Sequence, residues 1–228
     1  MSYSIALFDA DNTLLDFSLS ERIALSECLR MRGIEPTEQI LARYAEINDL
    51  HWKLLERGQT TRARLRTERF SDLFGELGLD LDPAEMADDY LVALSGKAYC
   101  MEGAEELIRR LAGRCRLFII TNGNASVQNA RFNSTSMAPL FEGVFISEEV
   151  GVSKPDKRFF DHVAASIPNF DPRDALIIGD SLSSDIQGGI NAGIDTCWLD
   201  RHGVGAPQDM HITYTVRSLE EVESILLS

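Results

Sequence analysis

The chain has 228 residues, 44% of them apolar, which suffices for a sizeable core and excludes disorder. Its 36 Asp and Glu outnumber 22 Lys and Arg for a net charge of −14, so nucleic acid and anionic membranes are excluded as partners. No apolar stretch approaches the ~20 residues of a membrane span, and the N-terminus has no basic region followed by a cleavage site, so a soluble cytoplasmic protein is expected.

The first element is a strand over 5–8, broken off by "DADNT". From Ser18 to Gly96 the pattern predicts helices only, over 19–32, 37–57, 61–77 and 83–94. Gly33 and Gly58 stand where helices end, and Asp82-Pro83 reads as an N-cap followed by a first-turn proline. Helices and strands then alternate. Helices are predicted over 102–111, 125–134, 157–167, 185–192 and 219–227, and strands over 116–120, 144–146, 175–178, 196–199 and 213–216. That rhythm predicts an α/β fold, a Rossmann-like parallel sheet with helices on both faces. The expected domains are 1–16 with 97–228 for the α/β core and 17–96 for the helical insertion. Cys28, Cys100, Cys115 and Cys197 are widely spaced, form no CxxC pair and are expected as buried reduced thiols.

Ligands of open parallel sheets bind beyond the carboxyl ends of the strands. There the first strand offers Asp9 and Asp11, and the second ends in Thr121, Asn122 and Gly123. The third leads into "EEVGVSKPD" with Lys154, and the fourth into "GDSLSSD" with Asp180 and Asp185. Singly these are a solvated turn, a cap, a surface lysine and an N-cap. Four of them in this order, each at a strand end, are hard to obtain by chance, and they bring carboxylates, a hydroxyl and an ammonium to one edge of the sheet. Asp9 is the candidate nucleophile. Asp11, on the same side if the chain stays extended, is the candidate general acid and base. Asp9, Asp180 and behind them Asp185 suit a hard cation such as Mg²⁺, with Mn²⁺ able to substitute. Lys154, the Thr121 hydroxyl and the Asn122 region are placed to bind phosphate. Four acids against Mg²⁺ and Lys154 leave a formal charge of −1.

The stretches "DADNT", "TNG", "SKP" and "GDSLSSD" resemble the four signatures of the haloacid dehalogenase superfamily of phosphatases, and the helical insertion resembles that superfamily's cap domain. "ISEEVGVSKP" and "SDIQGGINAGIDTCWL" are similar to the branch of YjjG-like pyrimidine nucleotide 5′-phosphatases, as are Asn48, Trp52, Gly58 and Arg69-Phe70. The resemblance implies a Mg²⁺-dependent phosphomonoester hydrolase acting through an aspartyl-phosphate on small-molecule substrates, pyrimidine nucleoside 5′-monophosphates foremost. It also implies that the main-chain carbonyl of Asp11 is a metal ligand. Phosphoglycolate or a sugar phosphate is the alternative substrate. Phe17, Asn48, Trp52 and Arg69 are candidate substrate residues; for Phe17 and Trp52, core packing is the competing reading. Arg62, Arg64, Arg66 and Arg69 are expected on a solvated helix face. A dehalogenase needs no metal, which leaves Asp11 and the Asp180/Asp185 pair without a purpose. A phosphate-sensing module lacks an eighty-residue helical insertion and carries its acids in another order.

Overall fold

The computed structural model describes residues 3–227. The strands are β1 (Ile5–Phe8), β2 (Arg116–Thr121), β3 (Gly143–Ile146), β4 (Ala175–Gly179), β5 (Asp195–Leu199) and β6 (Tyr214–Val216). They form one parallel sheet in the order β3-β2-β1-β4-β5-β6, with Ile5 in register with both Arg116 and Ala175. β1 is therefore central. Its unbroken apolar run is what a strand covered on both faces requires. Ala6 and Phe8 point into a core shared with helices of residues 104–111 and 219–226. Ile5 and Leu7 point into a second core, on the other face, with the helix of residues 157–166.

In chain order the helices are α1 (Phe17–Met31), α2 (Glu38–Glu56), α3 (Arg62–Leu77), α4 (Pro83–Ser95), α5 (Ala104–Leu111), α6 (Ala125–Asn133), α7 (Ser147–Val150), α8 (Lys157–Ser166), α9 (Gln187–Ala192) and α10 (Leu219–Leu226). The chain divides into two compact units. One runs to Phe17 and resumes at Ala98, and the other is Ser18–Lys97. Within the helical unit Tyr44, Phe70 and Tyr90 from α2, α3 and α4 pack with ring centroids 5.1 to 5.7 Å apart. Thr37, Thr61 and Asp82 cap these three helices through their side chains, and Pro83 occupies the first turn of α4. Gly33 and Gly58 adopt φ of +71° and +67° just past α1 and α2, a conformation that only glycine enters freely.

Three local readings differ from the sequence expectation. "SEEV" winds into the short helix α7. A π-helical turn, Leu182–Ile186, precedes α9 where one helix from residue 185 was expected, because the Ser181 side chain caps the turn at the N–H of Ser184. The four cysteines are free, but Cys100 is only half-buried.

Candidate active site

The strand order reverses direction between β1 and β4, and crevices form at such a switch point. Asp9 follows β1, its N–H donating to the Ile178 carbonyl of β4 at 2.8 Å. The ammonium of Lys154, 1% exposed, fills its three donor positions with Asp9 Oδ1 at 2.7 Å, Asp185 Oδ1 at 2.6 Å and the Ile120 carbonyl at 2.8 Å. Asn122 clamps the Lys154 backbone. Its Nδ2 donates to the Lys154 carbonyl and its Oδ1 accepts the Lys154 N–H, both at 2.9 Å. The sequence reading placed Asn122 at the phosphate; in the structure its side-chain amide holds the lysine loop.

Asp185 lies on the π turn, and its Oδ2 accepts the N–H of Ser181 at 3.1 Å. It packs directly on Gly179, where a Cβ would collide with the carboxylate. That close approach explains the glycine of "GDSLSSD". The Asp180 carbonyl accepts from the indole N–H of Trp198 on β5 at 2.9 Å, a support the sequence reading missed.

Burial drives the Asp9 carboxyl well above the usual carboxylate range. The nearby Lys154 ammonium opposes the shift, while Asp185, Asp180 and Asp11 add to it. Burial, with the Asp185 charge behind it, raises Asp180 to about 7. Burial works against the Lys154 ammonium, but Asp185 and Asp9 overcome it and hold the charge firmly. Asp9, Asp180 and Asp185 can each bring one carboxylate oxygen within 4.8 Å of the others. This crowded all-oxygen donor set, short of positive charge, fits a small hard cation such as Mg²⁺.

Asp11 does not continue an extended strand. Asn12 turns left-handed at φ +57°, and Asp11 meets α6 instead. Its Oδ1 accepts from Arg131 Nη1 at 2.5 Å and its Oδ2 from Gln128 Nε2 at 2.8 Å. The charge of Arg131 offsets the formal −1 counted from Lys154 and the metal alone. Thr121 Oγ1 accepts from the same Gln128 Nε2 at 2.7 Å. Phe17 lies under the Arg131 guanidinium, 5.6 Å from ring centroid to Cζ.

The remaining candidates belong to the helical unit. Asn48 Nδ2 donates to Glu21 Oε1 at 2.6 Å, and Arg69 Nη1 donates to Asn48 Oδ1 at 2.8 Å. Arg69 is buried, unlike its exposed neighbours Arg64 and Arg66, because it stacks on Phe70 and Tyr90. Trp52 is half-buried, with the Arg62 guanidinium 6.0 Å from its ring. Among the described residues no helix is long and apolar enough to cross a membrane.

Residues 3–193 match the model of the haloacid dehalogenase-like hydrolases. The chain belongs to that family. This haloacid dehalogenase-like hydrolase is 36% identical to the pyrimidine 5′-nucleotidase PynA of Streptococcus pneumoniae over 97% of its length and 94% of the relative's. It is 33% identical to the pyrimidine 5′-nucleotidase YjjG of Escherichia coli, over 99% of both chains. The magnesium-bound crystal structure of YfnB from Bacillus subtilis superposes with a TM-score of 0.95 at 37% identity, covering 99% of each chain. Interdomain movement is described for YfnB.

Proposed function

We propose that this hydrolase cleaves phosphomonoesters, pyrimidine nucleoside 5′-monophosphates in particular, through a phosphoaspartate on Asp9. The observation that carries the reading is the Lys154 ammonium bonded to Asp9 and Asp185, with Asp180 alongside, at the switch point of the sheet. The two nucleotidase relatives, alike over nearly the whole chain, support the nucleotide substrate.

Asp9, Asp180 and Asp185, with the Asp11 carbonyl, would hold Mg²⁺. The ion supplies charge stabilisation for the phosphoryl oxygens and the carboxylate. In the first step an Asp9 oxygen bonds to phosphorus, the ester P–O bond breaks, and Asp11 gives the leaving oxygen its proton. In the second, water attacks phosphorus, Asp11 takes the water's proton, and the Asp9 carboxylate leaves with its electron pair. The Thr121 hydroxyl donates to a phosphoryl oxygen, and Lys154, its donors already used on Asp9, Asp185 and the Ile120 carbonyl, contributes its positive charge beside the nucleophile. The helical insertion, read as a cap, selects the leaving group.

The test is a comparison of kcat/KM for dTMP, UMP, AMP, phosphoglycolate and a hexose phosphate, with Mg²⁺ and with a chelator. Pyrimidine nucleotides should lead and chelator should stop the reaction reversibly. A lead of tenfold or more for phosphoglycolate or the hexose phosphate (about 1.4 kcal/mol) replaces the nucleotidase reading with a general phosphatase. Full activity in chelator removes the metal from it.

A further inference from the structure

Helix α6 buries Val127, Gln128, Arg131 and Phe132, a stripe of two apolar and two polar residues. An amide and a guanidinium taken out of water destabilise the fold unless they are bonded, so their partners show what they serve. Gln128 Nε2 uses one proton on Thr121 Oγ1 at 2.7 Å and the other on Asp11 Oδ2 at 2.8 Å. Gln128 Oε1 accepts from Arg131 Nη1 at 3.0 Å. That bond sets which way the amide faces. Turned over, it would point its own N–H groups at a guanidinium and its oxygen at a carboxylate.

A threonine hydroxyl has one proton to give and room to accept two. Gln128 and the N–H of Gly123, at 3.2 Å, fill both acceptor positions of Thr121. The hydroxyl proton then points away from both, and Thr121 is a donor of defined direction. Asp11 is likewise held at each oxygen, by Arg131 and by Gln128. The glycine of "TNG" belongs to the same arrangement, since a Cβ at Gly123 would lie 2.6 Å from Gln128 Cγ and Cδ.

We infer that Gln128, braced by Arg131, is a positioning residue that aims the Thr121 hydroxyl at the phosphoryl group and orients the Asp11 carboxylate toward the leaving oxygen. The inference rests on the phosphatase reading above. Gln128 itself acts through these two side chains.

The test is Gln128→Met, which keeps the length of the side chain and removes both donors. It should lower kcat by roughly 10- to 100-fold, the usual size for a group supporting a reacting residue. The loss should be larger on dTMP than on p-nitrophenyl phosphate, whose leaving group needs little protonation. On p-nitrophenyl phosphate, adding Gln128→Met to Thr121→Val should change kcat by no more than about twofold, because the two act as one unit. Full kcat in Gln128→Met overturns the inference. So do equal losses on both esters combined with independent losses in the double variant, which mark a merely structural residue. If Gln128→Met does not fold, Gln128→Glu keeps the shape and sets an acceptor against Thr121 and Asp11. It should show the same split between esters, and full activity on both overturns the inference. A wild-type protein inert toward every phosphomonoester with Mg²⁺ overturns the phosphatase reading and the inference with it. An active wild type with an indifferent Gln128 overturns the inference alone.

Discussion

Each unit buries a polar cluster, and the two differ in how their charges close. In the helical unit one acid meets one base through an amide, Glu21 to Asn48 to Arg69, and the guanidinium lies 5.1 Å from the centroids of both Phe70 and Tyr90. In the α/β unit Asp9, Asp180 and Asp185 gather around a single ammonium, Lys154. The first cluster pairs one acid with one base. The second holds acid in excess, which disfavours the folded state by itself and makes sense where a cation and a phosphoryl group complete it.

The strongest way to break that contrast is to neutralise one member of each cluster. Asp9→Asn should lower turnover by about 10⁴-fold or more, as for other nucleophile replacements. It should leave the melting temperature unchanged or raised, because it removes one of the crowded acids. Arg69→Met should do the reverse to stability. Taking away one partner of a buried charged network costs about 3 kcal/mol, which denaturant midpoints would show. If the two variants lose stability alike, the clusters are not different in kind.

A smaller effect sharpens the same point by supplying the missing charge. Asp180→Ala should raise the Mg²⁺ concentration for half-maximal activity by about tenfold or more. Ca²⁺ should not substitute for Mg²⁺, since it takes more ligands at longer bonds and would hold Asp9 away from the productive geometry. An unchanged Mg²⁺ requirement in Asp180→Ala would take that carboxylate out of the metal site.

The sheet and the positions at its edge were legible because their signals are local. β1 is an apolar run stopped by acids, and Lys154 and Asp185 stand at fixed distances after strands that alternate with helices. The helix α6 was legible only as a helix. Gln128 and Arg131 look like solvated residues of an amphipathic face, and only the stripe they share with Val127 and Phe132 betrays their burial. Their partner Asp11 is distant in sequence, and the left-handed Asn12 that turns Asp11 toward them has no apolar pattern to announce it. Arg69 was read with Arg62, Arg64 and Arg66 for a similar reason. Helical spacing does not say that Phe70 and Tyr90 stand ready to cover one guanidinium of the four.

The smallest expected effect is a dependence of stability on pH that belongs to the acid-rich cluster. In the unfolded chain the carboxyls of Asp9 and Asp180 lose their protons near pH 4. In the folded, metal-free protein burial holds Asp9 protonated well above that range and raises Asp180 to about 7. Between these values the native state binds more protons than the unfolded one, so stability falls as pH rises. The contribution is fully present below about pH 4 and is gone once pH has passed through the folded value. The slope is at most about 1.4 kcal/mol per pH unit for each group. Melting temperatures in chelator at pH 5.5, 6.5 and 7.5 should therefore decline. Asp180→Asn should flatten the part of the decline nearest pH 7, since an amide titrates in neither the folded nor the unfolded chain. Saturating Mg²⁺ should reverse it, because a cation binds the deprotonated acids and stabilises the native state more as they ionise. A melting temperature that rises across this range in chelator would mean that the acids at the sheet edge are already balanced, and the contrast with the helical unit would fail.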